Sequence, residues 1–546
     1  MAEPNDYRSP LSWQRIRQAL TPKTPRSPIG LRRSKNSSIF ASVVNLCATA
    51  MGAGVLSLGH GFANTGWLLG IACLFLFAVC SDLSLLFIVR SGRACGRHTL
   101  AGVAKHYLGS AGMWTANFSL VILLFFALVL VEIVAMDLLP PVIQSIAGVS
   151  GDVGAQADEM PIYASRLVVG VVAVSAVFPL NLLKSLRSLK YTSTAAILFL
   201  GYFVSLLTVR FAQKLNGYGA MGCAGEAVKD TVCGALCGDT FEETMGAAAC
   251  HFPWNNAPTN TTCTVDSPLI AANTGAPERI FLSLPLMISA FLCQFNILQI
   301  DHELDAANKP KIDRIIHIAI LGICCTTYII GGFLGYALEG NCVANDVLKD
   351  FSGDDFFTAA RFCIGLTNLF KIPLLLVPLR TVTNETLCAL TAGRWPEKPA
   401  QASLFIETVV IYLVCFVTAY ELGSISKDLD LLGSTVGIVV VFVIPALLYI
   451  KMLDAEGADE RTKQRALAAG RRGGADEGGG GGGVMEDDEL ELHNPLIAGD
   501  GEAAADGGGA KRVWTRAYAA PVALLVLGVI SGAVCFSITL IYWAEA

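Results

Sequence analysis

The chain has 546 residues, 53% hydrophobic and only 15% charged, with a formal net charge of −6 and a positive mean hydropathy. Those values exclude a disordered chain and an ordinary soluble globule, and they predict an all-helical protein that crosses a membrane many times. A span needs about 20 apolar residues. Eleven stretches qualify, near 39–62, 66–89, 115–138, 164–183, 191–212, 279–300, 315–338, 357–379, 403–421, 431–452 and 515–542.

The charges ahead of span one are Arg8, Arg15, Arg17, Lys23, Arg26, Arg32, Arg33 and Lys35, against Glu3 and Asp6. The loop after span two carries Arg90, Arg93, Arg97 and Lys105, and the loop after span four Lys184, Arg187 and Lys190. The loop after span three holds Asp152, Asp158 and Glu159 with no base. This asymmetry predicts a cytoplasmic N-terminus and, after eleven spans, a C-terminus on the other side. Residues 1–38 read as a disordered basic cytoplasmic tail. Their Ser-Pro and Thr-Pro pairs at Ser9, Thr21, Thr24 and Ser27 fit either phosphorylation control or a plainly solvated segment. About 38 polar residues before the first span argue against a cleavable signal peptide.

Span one contains Gly52 and Gly54, with Gly59 and Gly61 following. Each glycine costs a helix interior roughly 1 kcal/mol, so the pattern reads as a break or as close packing through small residues. A broken helix at mid-membrane is how many secondary transporters present amides and carbonyls to a substrate. Gly52-Ala53-Gly54-Val55-Leu56-Ser57-Leu58 followed by Phe62-Ala63-Asn64-Thr65-Gly66-Trp67 resembles the first-helix signature of the amino acid/auxin permease family, closest to its neutral amino acid transporter branch. Gly59 and His60 depart from that pattern, which usually has Pro or Ser and then an aromatic. The resemblance implies a transporter core over 39–452, built as a five-plus-five inverted repeat with broken helices one and six, plus an eleventh helix.

Intramembrane acids are functional candidates: Asp82 in span two, and Glu132 and the more superficial Asp137 in span three. Cys95 to Gly112 resembles the family's connecting motif and also reads as an amphipathic interfacial helix. The loop 213–278 gathers Cys223, Cys233, Cys237, Cys250 and Cys263 with the sequon at Asn260, and Cys342 falls in the next loop of that side. Disulfides and glycosylation in an oxidising compartment are expected there. Zinc binding is the rival reading, and the pairing is left open.

Span six holds Pro285 and the run Ser289-Ala290-Phe291-Leu292-Cys293-Gln294-Phe295-Asn296, then Asp301-His302-Glu303-Leu304, which resembles the family's sixth helix. Gln294 and Asn296 suit a zwitterion, or hydrogen bonds between helices. The expected substrate-binding set is Thr49, Met51, Gly52, Ala53, Gly54, Phe291, Cys293, Gln294 and Asn296.

Ala360-Arg361-Phe362 through Lys371-Ile372-Pro373 to Pro378-Leu379-Arg380 resembles the branch's eighth helix. Sodium-coupled members place hydroxyls just before the first proline, where this chain has Leu369, Phe370 and Lys371. The matching amide position in span one is Ala48. Both halves of the sodium site are thus altered. An ammonium at Lys371 stands where the cation binds, within reach of Asn45, Thr49 or freed carbonyls, and an amine held away from water can load and release a proton. Its stem can instead snorkel to the interface. Lys371, Asn45 and Glu132 make the expected ion-coupling set.

Span ten, Leu431-Leu432-Gly433-Ser434-Thr435-Val436-Gly437 to Lys451, matches a further family segment. Residues 453–513 read as a disordered Gly-rich and acidic cytoplasmic linker, and 514–546 as the eleventh helix. The expected function is secondary active transport of neutral L-amino acids, driven by H+ or ion-independent, across the plasma membrane or an endolysosomal or vacuolar membrane. A sodium-coupled symporter and an amino acid sensor signalling through its tails are the alternatives. No cofactor, metal or nucleic-acid partner is expected. Enzyme motifs such as His-Glu-x-x-His, Gly-x-Ser-x-Gly or a phosphate loop do not occur in the sequence.

Overall fold

The computed structural model describes residues 38–52, 54–146, 165–181, 189–215, 278–340, 343–351, 354–391, 401–423, 425–473 and 507–545. Among them every regular element is helical. Ala53, the cysteine-rich loop with Asn260, and Cys342 lie outside the described residues.

Span one is two helices, Ile39–Ala50 and Gly54–Thr65, which meet at a bend of 55°. Span two is Trp67–Cys95. Leu100–Ile146 opens with a short helix and turns at Gly109, where φ is 68°, into span three. Arg166–Asn181 and Leu189–Leu215 are spans four and five. Span six is again two helices, Glu278–Ser289 and Gln294–Glu303, with 290–293 non-helical between them. Span seven runs from Ile312 to Glu339 and is π-helical over Ile318–Cys324. Spans eight and nine are Asp355–Leu390 and Gln401–Leu422. Span ten starts at Ile425, is π-helical over Gly433–Gly437 and Val439–Val443, and continues to Gly473. Gly507–Glu545 is span eleven.

Nine of these helices are long and apolar enough to cross a membrane, the bent pair of span one adds a tenth, and Arg166–Phe178 is a shorter apolar helix. The chain enters span one on what is called here the near side, to which the loops after spans two, six and eight also belong; the opposite side is the far side.

Spans six and ten are buried along most of their length, whereas five, nine and eleven present Leu198, Val209, Ile406, Leu413, Val526 and Ile530 outward. With an apolar solvent outside, small residues let backbones approach. Gly433 of span ten lies so near the Pro285 carbonyl of span six that any side-chain carbon would collide with it, at 1.9 Å.

Span ten differs from its expected bounds at both ends. It begins at Ile425 rather than near 431, because Asp428 and Asp430 are taken into the helix instead of a loop. It also runs to Gly473, into the segment read as linker, since 453–472 is rich in Ala and Arg, which favour helix.

Candidate functional site

The breaks in spans one and six face each other. A side-chain carbon on Gly54 would touch Ala290 at 3.4 Å, while one on Gly52 would meet nothing within 4 Å. Two helix C-termini, at Ala50 and Ser289, and two N-termini, at Gly54 and Gln294, converge there. Negative and positive dipole ends thus sit side by side, complementary to a zwitterion.

Three side chains hold the freed carbonyls. Lys371 Nζ donates to the Met51 carbonyl at 2.9 Å. Tyr328 of span seven, fully buried, reaches both breaks: its hydroxyl lies 2.8 Å from the carbonyls of Ala50 and Ala290 and shares its proton between them. Ser81 of span two donates to the Phe291 carbonyl at 3.1 Å and accepts from Gln294 Nε2 at 3.1 Å. Gln294 Oε1 accepts from the Cys293 amide at 2.9 Å, so this side chain caps its own break.

Asn296 Nδ2 donates to Thr49 Oγ1 at 3.0 Å, and Thr49 donates to the Asn45 carbonyl at 2.8 Å, tying the near halves of the two broken spans together. Asn45 thus contributes its carbonyl to this chain. Phe291 packs edge-on against Tyr328, with ring centroids 5.1 Å apart. Cys293, Cys47 and Cys324 are buried thiols behind the breaks. Cys324 is hydrogen-bonded to Cys47, which also donates to the Ala319 carbonyl at 3.7 Å.

Just before Lys371, the polar groups of span eight fold back on their own helix. Thr367 donates to the Ile364 carbonyl at 2.9 Å, and Asn368 donates to the same carbonyl at 2.9 Å. The ammonium is therefore the group of this stretch of span eight that reaches span one. Glu132 lies apart from the breaks. It is fully buried against span nine, and neither carboxylate oxygen has a partner among the described residues.

Access to the breaks is unequal. On the far side, Val55 through Gly59 are buried beneath the loop 343–351, and a carbon on Gly59 would meet Val347 at 2.9 Å and Val343 at 3.2 Å. That loop is itself held down by Lys349–Asp137 at 3.1 Å and by Arg361, which donates to the Leu348 carbonyl at 2.5 Å. On the near side Asn45, Thr49, Gly52, Phe295, Asn296 and Lys371 are all half-buried. Two ion pairs and a hydrogen bond link the near ends of spans two, six and seven: Arg93–Asp301 at 2.5 Å, Arg90–Asp313 at 3.0 Å, and His317 Nδ1 to Asp82 at 2.9 Å.

Tyr328 and Ser81 are absent from the expected set. Each sits in an apolar run with nothing local to mark it, and the carbonyls they serve are 38 to 278 residues away.

Over residues 35–468 the chain matches the family described as transmembrane amino acid transporter protein. It is 23% identical over 437 residues to sodium-coupled neutral amino acid symporter 2 of Danio rerio, covering 77% of each chain. It is 24% identical over 417 residues to vacuolar amino acid transporter 5 of Schizosaccharomyces pombe, covering 76% of this chain and 84% of that one. Sodium-coupled neutral amino acid transporter 4 of Rattus norvegicus is 24% identical over 456 residues, covering 77% and 79%. Among solved structures, an Eremococcus coleocola manganese transporter covers 93% of this chain and 99% of its own, with 12% identity and a TM-score of 0.39. The chain belongs to the transmembrane amino acid transporter family, and it is a multi-pass membrane protein that transports amino acids.

Proposed function

We propose that this chain carries neutral L-amino acids by proton-driven or ion-independent transport, with the Lys371 ammonium standing where a sodium ion would otherwise sit. The observation that carries this reading is the 2.9 Å hydrogen bond from Lys371 Nζ to the Met51 carbonyl, which joins span eight to the break in span one. A fixed cation there leaves no room for a mobile one. The substrate carboxylate meets the amides at the N-terminus of Gly54–Thr65, including those of Gly52 and Ala53. Its ammonium faces the C-terminal end of Glu278–Ser289. Phe291, Cys293, Gln294 and Asn296 shape the wall and hold the breaks in register, and Glu132 serves the coupling ion.

The charge asymmetry of the loops supports a cytoplasmic near side. On that reading the cysteine-rich loop is lumenal or extracellular, disulfide-bonded and glycosylated at Asn260. One relative is named for the vacuole, which supports a vacuolar membrane, with the plasma membrane the other reading, and sodium coupling is the competing mechanism because two relatives carry it in their names.

Purified protein in liposomes, loaded with radiolabelled amino acid under a pH or a sodium gradient, separates the readings. Lys371→Ala is expected to lower pH-driven uptake by about tenfold or more, the scale of one charge-assisted hydrogen bond. Counterflow exchange stays measurable. A strict sodium requirement in the wild type overturns the proposal.

A further inference from the structure

The far half of the bundle holds a second group of ionisable side chains that the helix breaks do not use. Glu132 of span three and Asp428, in the first turn of span ten, are both completely buried. All four of their carboxyl oxygens lack a hydrogen-bond partner among the described residues, as does one oxygen of Asp430. Cys415 of span nine, itself buried, is within electrostatic reach of both Glu132 and Asp428. Asp430, two residues on, is within electrostatic reach of Asp428 and of Cys535 of span eleven. Span three packs against both nine and ten here, and none of the ion pairs among the described residues reaches either carboxyl.

An ionised carboxylate buried in this way, with no partner among the described residues, is among the costliest states a folded protein can hold. Within a membrane the surroundings offer no relief. Such surroundings suit Glu132 and Asp428 as neutral acids, each holding a proton.

The position of the group suits a function. Asp428 follows directly on the exposed Lys427, close to the far end of span ten. Less than two turns further along, Gly433 rests its backbone on the Pro285 carbonyl of span six, at the start of a π-helical stretch. A change of charge at Asp428 pushes on the top of span ten, and span ten bears on the broken sixth helix.

We propose that Glu132 and Asp428, with Asp430 beside them, form a proton-binding site loaded from the far side, and that its protonation favours the far-side-closed arrangement of spans six and ten. Each carboxyl takes one proton from far-side water and returns one when the bundle rearranges; no other species is consumed. The role in transport rests on the proton-driven reading above, whereas the occupancy of the site by protons does not.

Two arms test this on the full-length protein in liposomes. Infrared difference spectra in H2O and D2O read the carbonyl stretch of protonated carboxyls. Glu132→Gln and Asp428→Asn, which copy the shape of the neutral acids, are each expected to remove part of that signal. Unchanged spectra in both variants overturn the site. So does a signal that sodium chloride abolishes at fixed pH, which assigns the group to a metal cation. In the second arm, uptake is compared with and without an acid far side. The double variant is expected to lose the gradient's acceleration entirely, with counterflow exchange still measurable. Retained acceleration overturns the coupling role. A wild type indifferent to the gradient refutes proton-driven transport itself, and the infrared arm then decides the site alone. Should one single variant fail to fold, the other single variant carries the spectral arm.

Discussion

Tyr328→Phe removes one oxygen and leaves the ring, with its edge-on contact to Phe291, in place. The lost hydroxyl spans both helix breaks at 2.8 Å on either side. A neutral hydrogen bond is worth about 1 kcal/mol net, and a buried carbonyl left without a donor costs roughly 1–3 kcal/mol. One phenolic proton serves two carbonyls, so the total is set at about 1.5–3 kcal/mol rather than twice that. If the bond is needed to hold the breaks in the geometry that meets the substrate, this energy appears in binding. The expected result is then about 10- to 100-fold weaker affinity, at 1.4 kcal/mol per factor of ten. Equilibrium binding of labelled amino acid to purified protein measures it, with thermal melting as the check on folding. A variant that melts normally and binds as tightly as wild type refutes the reasoning, because the two carbonyls then find other donors at no cost.

Gly54→Ala is expected to keep most activity, since its methyl meets Ala290 at an ordinary 3.4 Å. Gly54→Val drives a branched carbon into the opposing break, and overpacking of roughly 1–3 kcal/mol predicts about tenfold or greater loss of binding in a folded protein. In the far-side loop, burial pushes the Asp346 carboxyl from 3.8 up to about 6, against the opposing pull of Lys349, the Leu348 amide and Arg361, while Asp137 adds to the rise. A raised acid stabilises while protonated, so this contribution is complete below about pH 4 and lost as pH climbs through about 6. It amounts to roughly 3 kcal/mol. Melting curves of wild type and Asp346→Asn should diverge across that window, and parallel curves count against it. A glycosidase-induced shift in gel mobility should vanish in Asn260→Gln, and a shift that persists places the glycan elsewhere.

Much of the fold was legible because a bilayer demands it. Each span announces itself by length, and the glycines at 52 and 54 and the Ser289–Asn296 run mark two places where a continuous helix is unfavourable. Lys371 was legible because a charge at that depth has few reasons to be there. The clamps on the breaks were not. Tyr328 lies in Cys-Thr-Thr-Tyr-Ile-Ile, where a tyrosine reads as one more large side chain, and its meaning comes from two carbonyls brought to it by folding. Asp428 was hidden for the opposite reason. In Ser-Ile-Ser-Lys-Asp-Leu-Asp the charges look like a surface loop, and only the packing of span ten on spans three and six turns Asp428 inward. Gln294 and Asn296 were identified as polar groups of the site, and the structure engages both in bonds between helices.

The π-helical stretch Ile318–Cys324 divides span seven. A π turn carries a surplus residue compared with an α turn. If that surplus migrates along the helix past Tyr328, the residues it passes turn by about 100° and slide about 1.5 Å, with no hydrogen-bonded ladder dismantled on the way. His317 lies just before the stretch, bound to Asp82, and Tyr328 just after it. A rotation of that size would swing the phenol off both carbonyls while the imidazole kept its place. Span seven is thus a shaft with a swivel in it: the near-side ion pairs can stay fastened while the clamp on the two breaks lets go.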